Sequence, residues 1–306
     1  MMTGGTVNHS GPTLHFNDVK IRVTLLGTGL MGAPMARNLA RQFPVTVWNR
    51  TPDKALALTD SGVRVAESLD DAVADADAVI TMLADGPTVA SVLADITPHL
   101  RPGTLVIDMS SIAPSQARHQ ATRLAARGLR PLDAPVSGGT TGAAAATLAI
   151  MVGGTAADYQ AARPIFEALG RTTLVGPAGA GQMAKLANQV IVGITIGAVA
   201  EALLLAQTGG ADGRAVRGAL MGGFADSRIL DLHGNHMLDR DFTPGGRAVT
   251  QLKDLDNALA EAKALGLRLP ILETVAGLYR DMVAAGNGDL DHAGLLVELE
   301  RINGIG

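Results

Sequence analysis

Near residue 181 the apolar residues of this chain change from one periodicity to another. Before it, short apolar runs rich in Val, Ile and Thr lie at 21–26, 45–48, 78–83, 104–108, 148–152 and 172–175, separated by longer stretches of helical spacing. Such alternation predicts a mostly parallel sheet, because parallel neighbours must be joined by crossovers, usually helices. After it, strand signals thin out, and helical spacing predicts helices over 182–208, 213–221, 250–265, 270–285 and 292–301. The expected organisation is a loose polar tail over 1–19, an α/β Rossmann-type domain over 20–181, and an all-α domain over 182–306.

The stretch 182–208 is more apolar than one buried helix face requires. Its core, 190–205, is shorter than the ~20 residues that span a bilayer, and Glu201 lies inside it. The pattern therefore predicts a helix buried on most sides, between domains or between subunits, in a homodimer or homotetramer.

The first apolar run ends in Gly27-Thr-Gly29-Leu30-Met31-Gly32, followed by a helical pattern with Pro34 in its first turn. A strand, a Gly-x-Gly-x-x-Gly loop and a helix, in that order, make a dinucleotide-binding unit. Gly27 allows the tight turn, Gly29 lets backbone approach a pyrophosphate, and Gly32 lets helix and strand pack closely. The second run ends in Asn49-Arg50-Thr51, where an acidic residue would bind the ribose 2′-hydroxyl of NAD. A cation between two hydrogen-bonding side chains suits a 2′-phosphate instead, so NADP is the expected cofactor, with NAD possible. The competing reading of Arg50 is a solvated charge at a strand end.

Three further segments carry candidate chemistry. Ser110 and Ser111 follow the run at 104–108, where they either face a bound nicotinamide or cap the helix at Pro114. Ser137-Gly138-Gly139 presents a hydroxyl and unobstructed backbone N–H groups, as an anion nest for a carboxylate does, or as a turn does for backbone reasons alone. Lys185 stands near the head of the long apolar helix, with Asn188 and Gln189 three and four residues on. Arginine, the usual cation of this chain, cannot give up its proton; a buried lysine can, and so can serve as a general acid and base. Otherwise Lys185 snorkels to water. Lys253 either reaches the cofactor or pairs with Asp254 on a solvated helix. His233 and His236 lie three apart with no third ligand nearby in the sequence, so no metal is expected.

Composition narrows the classes. The chain has 306 residues, a net charge of −4 and 3% aromatic residues, which offers neither a field nor stacking surfaces for nucleic acid and no basic face for a membrane. With no cysteine, disulfides, thiolate metal sites and a cysteine nucleophile are excluded, and a cytoplasmic location is expected.

Taken together and in order, Gly27-Thr-Gly-Leu-Met-Gly-Ala-Pro-Met-Ala, Trp48-Asn-Arg-Thr, Asp108-Met-Ser-Ser, Asp133-Ala-Pro-Val-Ser-Gly-Gly, Gly179-x-Gly-x-x-x-Lys185-x-x-Asn-Gln and Lys253-Asp-Leu resemble the β-hydroxyacid dehydrogenases, the group that includes 3-hydroxyisobutyrate dehydrogenase and 2-hydroxy-3-oxopropionate (tartronate semialdehyde) reductase. The match is collinear from Ile21 to about Leu299. It implies an NAD(P)-dependent interconversion of a small β-hydroxyacid and its semialdehyde. Lys185 would be the acid/base; Ser137, Gly138, Gly139, Asn188 and Gln189 would bind substrate. Gly27, Gly29, Leu30, Met31, Gly32, Asn49, Arg50, Thr51, Leu83, Ser111 and Lys253 would bind cofactor. Two departures stand out: Ala146 replaces a frequent glycine, and Gly246 replaces a frequent phenylalanine, which changes the cleft wall. Imine reductases and a non-catalytic NADP-binding branch share the scaffold. They usually lack the lysine, so Lys185 sets this chain apart from both.

Overall fold

The structure, a computed structural model, describes residues 21–305; the expected tail lies outside the described residues. Nine strands form one sheet: β1 (Val23–Leu26), β2 (Val45–Trp48), β3 (Arg64–Val65), β4 (Ala78–Thr81), β5 (Leu105–Asp108), β6 (Arg130–Asp133), β7 (Val136–Ser137), β8 (Leu148–Gly153) and β9 (Gly170–Gly176). β3-β2-β1-β4-β5-β6 run parallel in the doubly wound order. β6 and β7, separated by Ala134-Pro135, both lie antiparallel against β8, and β9 adds a parallel strand on its far side.

Helices α1 (Gly32–Ala40), α2 (Pro52–Leu56), α3 (Leu69–Val73), α4 (Gly86–Ile96), α5 (Pro114–Ala125), α6 (Gly139–Ala145) and α7 (Ala156–Glu167) connect the strands. Every residue of β1, β4 and β5 is buried, as expected of a sheet covered on both faces. The period of two then sorts side chains: Val23, Leu25, Ala78, Ile80, Leu105 and Ile107 join one apolar core, while Leu26, Val79 and Val106 join the core on the other face.

A third core belongs to the helical half. It forms around α8 (Ala180–Thr208), packed by α10 (Arg228–Asp239), α11 (Ala248–Ala264), α12 (Pro270–Met282) and α13 (Leu295–Ile302), with the short α9 (Gly213–Leu220) at one end. The short β3 and β7 went unforeseen, and so did β6, α6 and α10. β6 carries Pro131, which disguises a strand because it cannot donate to the ladder. α6 begins at the second glycine of Ser137-Gly-Gly. α10 contains Gly234, yet buries Leu230, Gly234 and Met237 at helical spacing and is capped by Ser227, whose Oγ accepts from Leu230 N at 2.9 Å. That Ser cap and spacing were the available signals.

α8 is only partly covered by its own chain. Only 33% of its most apolar 18-residue stretch is buried within the chain. Ile191 and Leu205 on α8, and Ile271 on α12, are exposed. A groove of about 370 Å³ between these helices is lined by Ile194, Gly197, Ala198, Val275 and Leu278, among others.

Candidate active site

The nucleotide loop shows why each glycine is needed. Gly27 has φ +103°, and a Cβ there would lie 2.3 Å from Met82 O. A Cβ on Gly32 would lie 1.8 Å from Gly27 O, so the close approach is of α1 to the loop's own carbonyl. At Gly29 a Cβ would meet nothing within 4 Å; a side chain there would fill the space in front of the loop. Thr28 Oγ1 is buried without a partner. An open cradle bordered by an orphaned hydroxyl and a helix N-terminus fits a dinucleotide pyrophosphate.

Asn49 holds this loop to β2: its Oδ1 accepts from Thr28 N at 3.0 Å, and its Nδ2 donates to Thr51 O at 3.0 Å. Both ends of the side chain are thereby engaged within the protein. Arg50 and Thr51 are exposed beside it, and Leu30 stands out at the rim of the loop with 81% of its surface exposed.

On the next two strands the serines separate. Ser110 is fully buried, and its Oγ accepts from Leu83 N at 2.9 Å. It ties together the loops after β4 and β5. Neither serine caps α5, whose N-cap is Ala113 with its N–H bonded to Gln116 Oε1. That correction follows from chain length: Ile112 intervenes, and its N–H is taken by Gln182 Oε1 at 3.1 Å. Gln182 Nε2 also donates to Ser110 O at 2.7 Å, so a residue of α8 fixes the loop that carries the half-buried Ser111.

The root of α8 is built into the sheet. Asp133, at the end of β6, accepts from Gly179 N at 2.7 Å through Oδ1 and from Gln182 N at 2.8 Å through Oδ2. Burial pushes its carboxyl up, and these backbone donors pull it back. A Cβ on Gly181 would lie 2.4 Å from Met151 O and 2.6 Å from Asp133 O; only glycine lets the helix start this close to β8. Gly138 (φ +137°) and Gly139 (φ +61°) both adopt conformations that glycine favours, turning β7 into α6. Ser137, at the end of β7, is half-buried, and α8 packs against β7. The turn geometry is thus present beside a partly accessible Ser137.

One turn into α8, Lys185 Nζ donates to Gln189 Oε1 at 2.9 Å, and Asn188 Nδ2 donates to the same oxygen at 2.8 Å. Gln189 Nε2 donates to Asp254 Oδ2 at 2.8 Å and to Gln251 Oε1 at 3.3 Å. Lys253 Nζ lies 3.4 Å from Asp254 Oδ1. Lys185 therefore does not snorkel to solvent. Burial lowers its pKa; Asp254 partly offsets this, and Lys253 adds to the lowering. Lys253 also acts electrostatically on Asp85, which caps α4, so this lysine from α11 lies within range of the nucleotide half. Gln182, Gln251, Asp254, Asp108 and Asp133 were not foreseen as site residues. Their roles depend on contacts between segments far apart in the chain.

The sequence near His233 and His236 offers no third ligand, but the fold brings one up from far along the chain. Asp291, more than fifty residues away in sequence, brings a carboxylate beside them, with the potential ligand atoms of the three all within 4.8 Å of one another.

Residues 22–177 match the family model for the NAD-binding domain of 6-phosphogluconate dehydrogenase, and residues 179–299 match that for the NAD-binding region of NADP-dependent 3-hydroxyisobutyrate dehydrogenase. The chain is 44% identical over 287 residues to 2-hydroxy-3-oxopropionate reductase of Escherichia coli K12, covering 92% of this chain and 97% of that protein. It is 37% identical over 284 residues to an NAD-dependent L-serine dehydrogenase of Pseudomonas aeruginosa, covering 88% and 95%. Among solved structures, 3-hydroxyisobutyrate dehydrogenase of Mycobacterium tuberculosis with L-serine superposes with a TM-score of 0.85 at 35% identity, covering 92% and 99%. The nucleotide cradle, the lysine one turn into a helix rooted in the sheet, and these likenesses along nearly the whole chain make it a member of the β-hydroxyacid dehydrogenase family, an NAD(P)-binding oxidoreductase.

Proposed function

We propose that this chain interconverts a small β-hydroxyacid and its semialdehyde, preferring NADP(H), with Lys185 as the acid/base. The observation that carries this reading is the environment of Lys185: an ammonium held by a neutral amide, with no carboxylate bonded to it directly, in a buried setting that lowers its pKa. The nicotinamide, when bound, supplies or accepts the hydride.

The chain's own residues do the rest. Lys185 gives its proton to the oxygen of the carbonyl being reduced, and takes it back in the oxidative direction. Its charge stabilises that oxygen as negative charge builds. Gln189 and Asn188 fix the direction of Nζ, and Asp254 fixes Gln189 in turn. The Ser137-Gly138-Gly139 turn is the subsite for the substrate carboxylate, which sets which face of the carbon meets the hydride. Thr28, Gly29 and the start of α1 would hold the pyrophosphate, and Arg50 the 2′-phosphate. The exposed apolar face of α8 and α12 is the contact for a second copy of the chain.

Lys185→Ala should lower turnover by ~10²–10⁴-fold, as loss of a general acid/base does, with NADPH affinity by fluorescence titration little changed. Lys185→Arg should not rescue it. In wild type, reduction needs the ammonium and so weakens as pH rises through the lowered lysine pKa, while oxidation strengthens. Tartronate, methylmalonate and succinate semialdehydes, glyoxylate and L-serine form the substrate panel. Near-normal activity in either lysine variant would remove the assignment.

A further inference from the structure

The cluster around Asp291 plays no part in the chemistry above, and its polar atoms are poorly served by the protein. His233 and His236, one turn apart on α10, each bury an Nδ1 with no hydrogen-bond partner. His233 Nδ1 stands 3.6 Å from Asp291 Oδ1, too far for a hydrogen bond. A buried imidazole nitrogen without a partner is costly and calls for an explanation, and an ion is one of the few available.

The carboxylate is prepared for that role. Asp291 Oδ2 already accepts from Gly245 N at 3.0 Å and Gly246 N at 3.1 Å. Oδ1 accepts only from Ala293 N, at 3.0 Å. A carboxylate oxygen has two lone-pair directions, so Oδ1 keeps one free and faces the histidines.

A fourth group completes the set. His292 Nε2 lies 3.9 Å from Asp291 Oδ1, and its Nδ1 is 3.4 Å from Gln251 Oε1. With the proton on Nδ1, the ring donates to Gln251 and leaves Nε2 as an acceptor toward the cluster. Metal-ligating histidines commonly donate their other N–H to an oxygen in this way. We propose that His233, His236, Asp291 and His292 form a binding site for a divalent transition ion such as Zn²⁺ or Co²⁺.

The spacing suits contraction about an ion. Ligand bonds of ~2.0–2.1 Å place tetrahedral donors about 3.4 Å apart, so the atoms of His233, His236 and Asp291, now within 4.8 Å of one another, would draw together, and the His292 ring would turn in to join them. His233 and His236 are half-buried as residues, and the exposed carboxylate of Asp241 lies near enough to act on both His236 and Asp291. Three imidazoles, one carboxylate and no sulfur favour Zn²⁺, Co²⁺ or Ni²⁺ over Mg²⁺ or Ca²⁺. Such an ion would cross-link α10, the 242–246 loop and the turn before α13. It would also sit one residue beyond Gln251, which bonds the Gln189 that holds Lys185.

The test is a Co²⁺ titration of the full chain after chelator treatment, followed by visible absorption. The expected result is saturable ligand-field absorption at a single Co²⁺ per chain, displaced by Zn²⁺ and accompanied by a rise in melting temperature. The His233→Ala/His236→Ala double variant should lose both signals, and so should the gentler His236→Gln. His99→Gln/His119→Gln, which removes two histidines far from the cluster in sequence, should keep them. No saturable absorption in wild type overturns the proposal. So does absorption that persists in the His236→Gln variant or disappears with the His99 and His119 pair.

Discussion

Asp108 offers a quantitative test of the electrostatics beneath the cofactor loops. Its Oδ1 accepts from Thr81 Oγ1 at 2.7 Å and Ser110 N at 3.0 Å, while Oδ2 is buried with no partner. Burial pushes the carboxyl up to about 6, against the pull of the Ser110 and Thr81 hydrogen bonds and with a push from Asp133. An unfolded aspartate titrates near ~3.9. Between about pH 4 and pH 6 the folded chain therefore holds more protons at this site than the unfolded chain, and stability falls as pH rises. A difference of about two units corresponds to about 3 kcal/mol. Asp108→Asn keeps the accepting oxygen for Thr81 and Ser110 and cannot ionise. Its stability relative to wild type should improve by about 3 kcal/mol between pH 4 and pH 7.5. Any constant cost of the amide cancels in that comparison. Urea midpoints of both proteins, at one fixed protein concentration across this range, measure it. A stability difference that stays flat with pH, or that moves in favour of wild type as pH rises, would refute the reasoning.

Two further outcomes test other parts of the reading. Arg50→Ala should raise the Michaelis constant for NADPH by tenfold or more, since a hydrogen bond to a charged group is worth about 1.5–3 kcal/mol. NADH should be nearly unaffected; equal specificity constants for NADH and NADPH in wild type would end the NADP assignment. In sedimentation the chain should run as a dimer or tetramer at micromolar concentration. Ile191→Asp/Ile271→Asp should shift it toward monomer, and a wild-type monomer would leave the α8–α12 face unexplained.

Much of the nucleotide half was legible because its signals are local. Periodicity marked β1, β2, β4, β5, β8 and β9, and the glycine loop lies within six consecutive residues. Lys185 and Gln189 were legible as a pair because one helical turn separates them. What stayed hidden is held by contacts remote in sequence. The sequence does not show that Asn49 also ties the glycine loop to β2 through Thr28 N. Ser110 reads as facing the nicotinamide, but it is buried against Leu83 N. The partners of Gln189 on α11 and the Asp291 carboxylate beside two histidines appear only when the chain is folded. Apolar periodicity also does not distinguish a face of α8 covered within the chain from one left open to a partner.

The rooting of α8 divides the surroundings of Lys185 between the two halves. Lys185 belongs by sequence to the helical half, yet its helix is welded to the sheet through Asp133, Gly179, Gly181 and Gln182. The lysine proposed as proton donor is therefore anchored to the nucleotide half. Lys253, Asp254 and Gln251 ride on α11, which belongs to the other half. A rocking of the two halves would leave the distance from Lys185 to the sheet almost unchanged and strain the Gln189 contacts to Gln251 and Asp254 first. The joint between the halves thus bears on the lysine's orientation, while its position follows from the sheet that also carries the nucleotide loop.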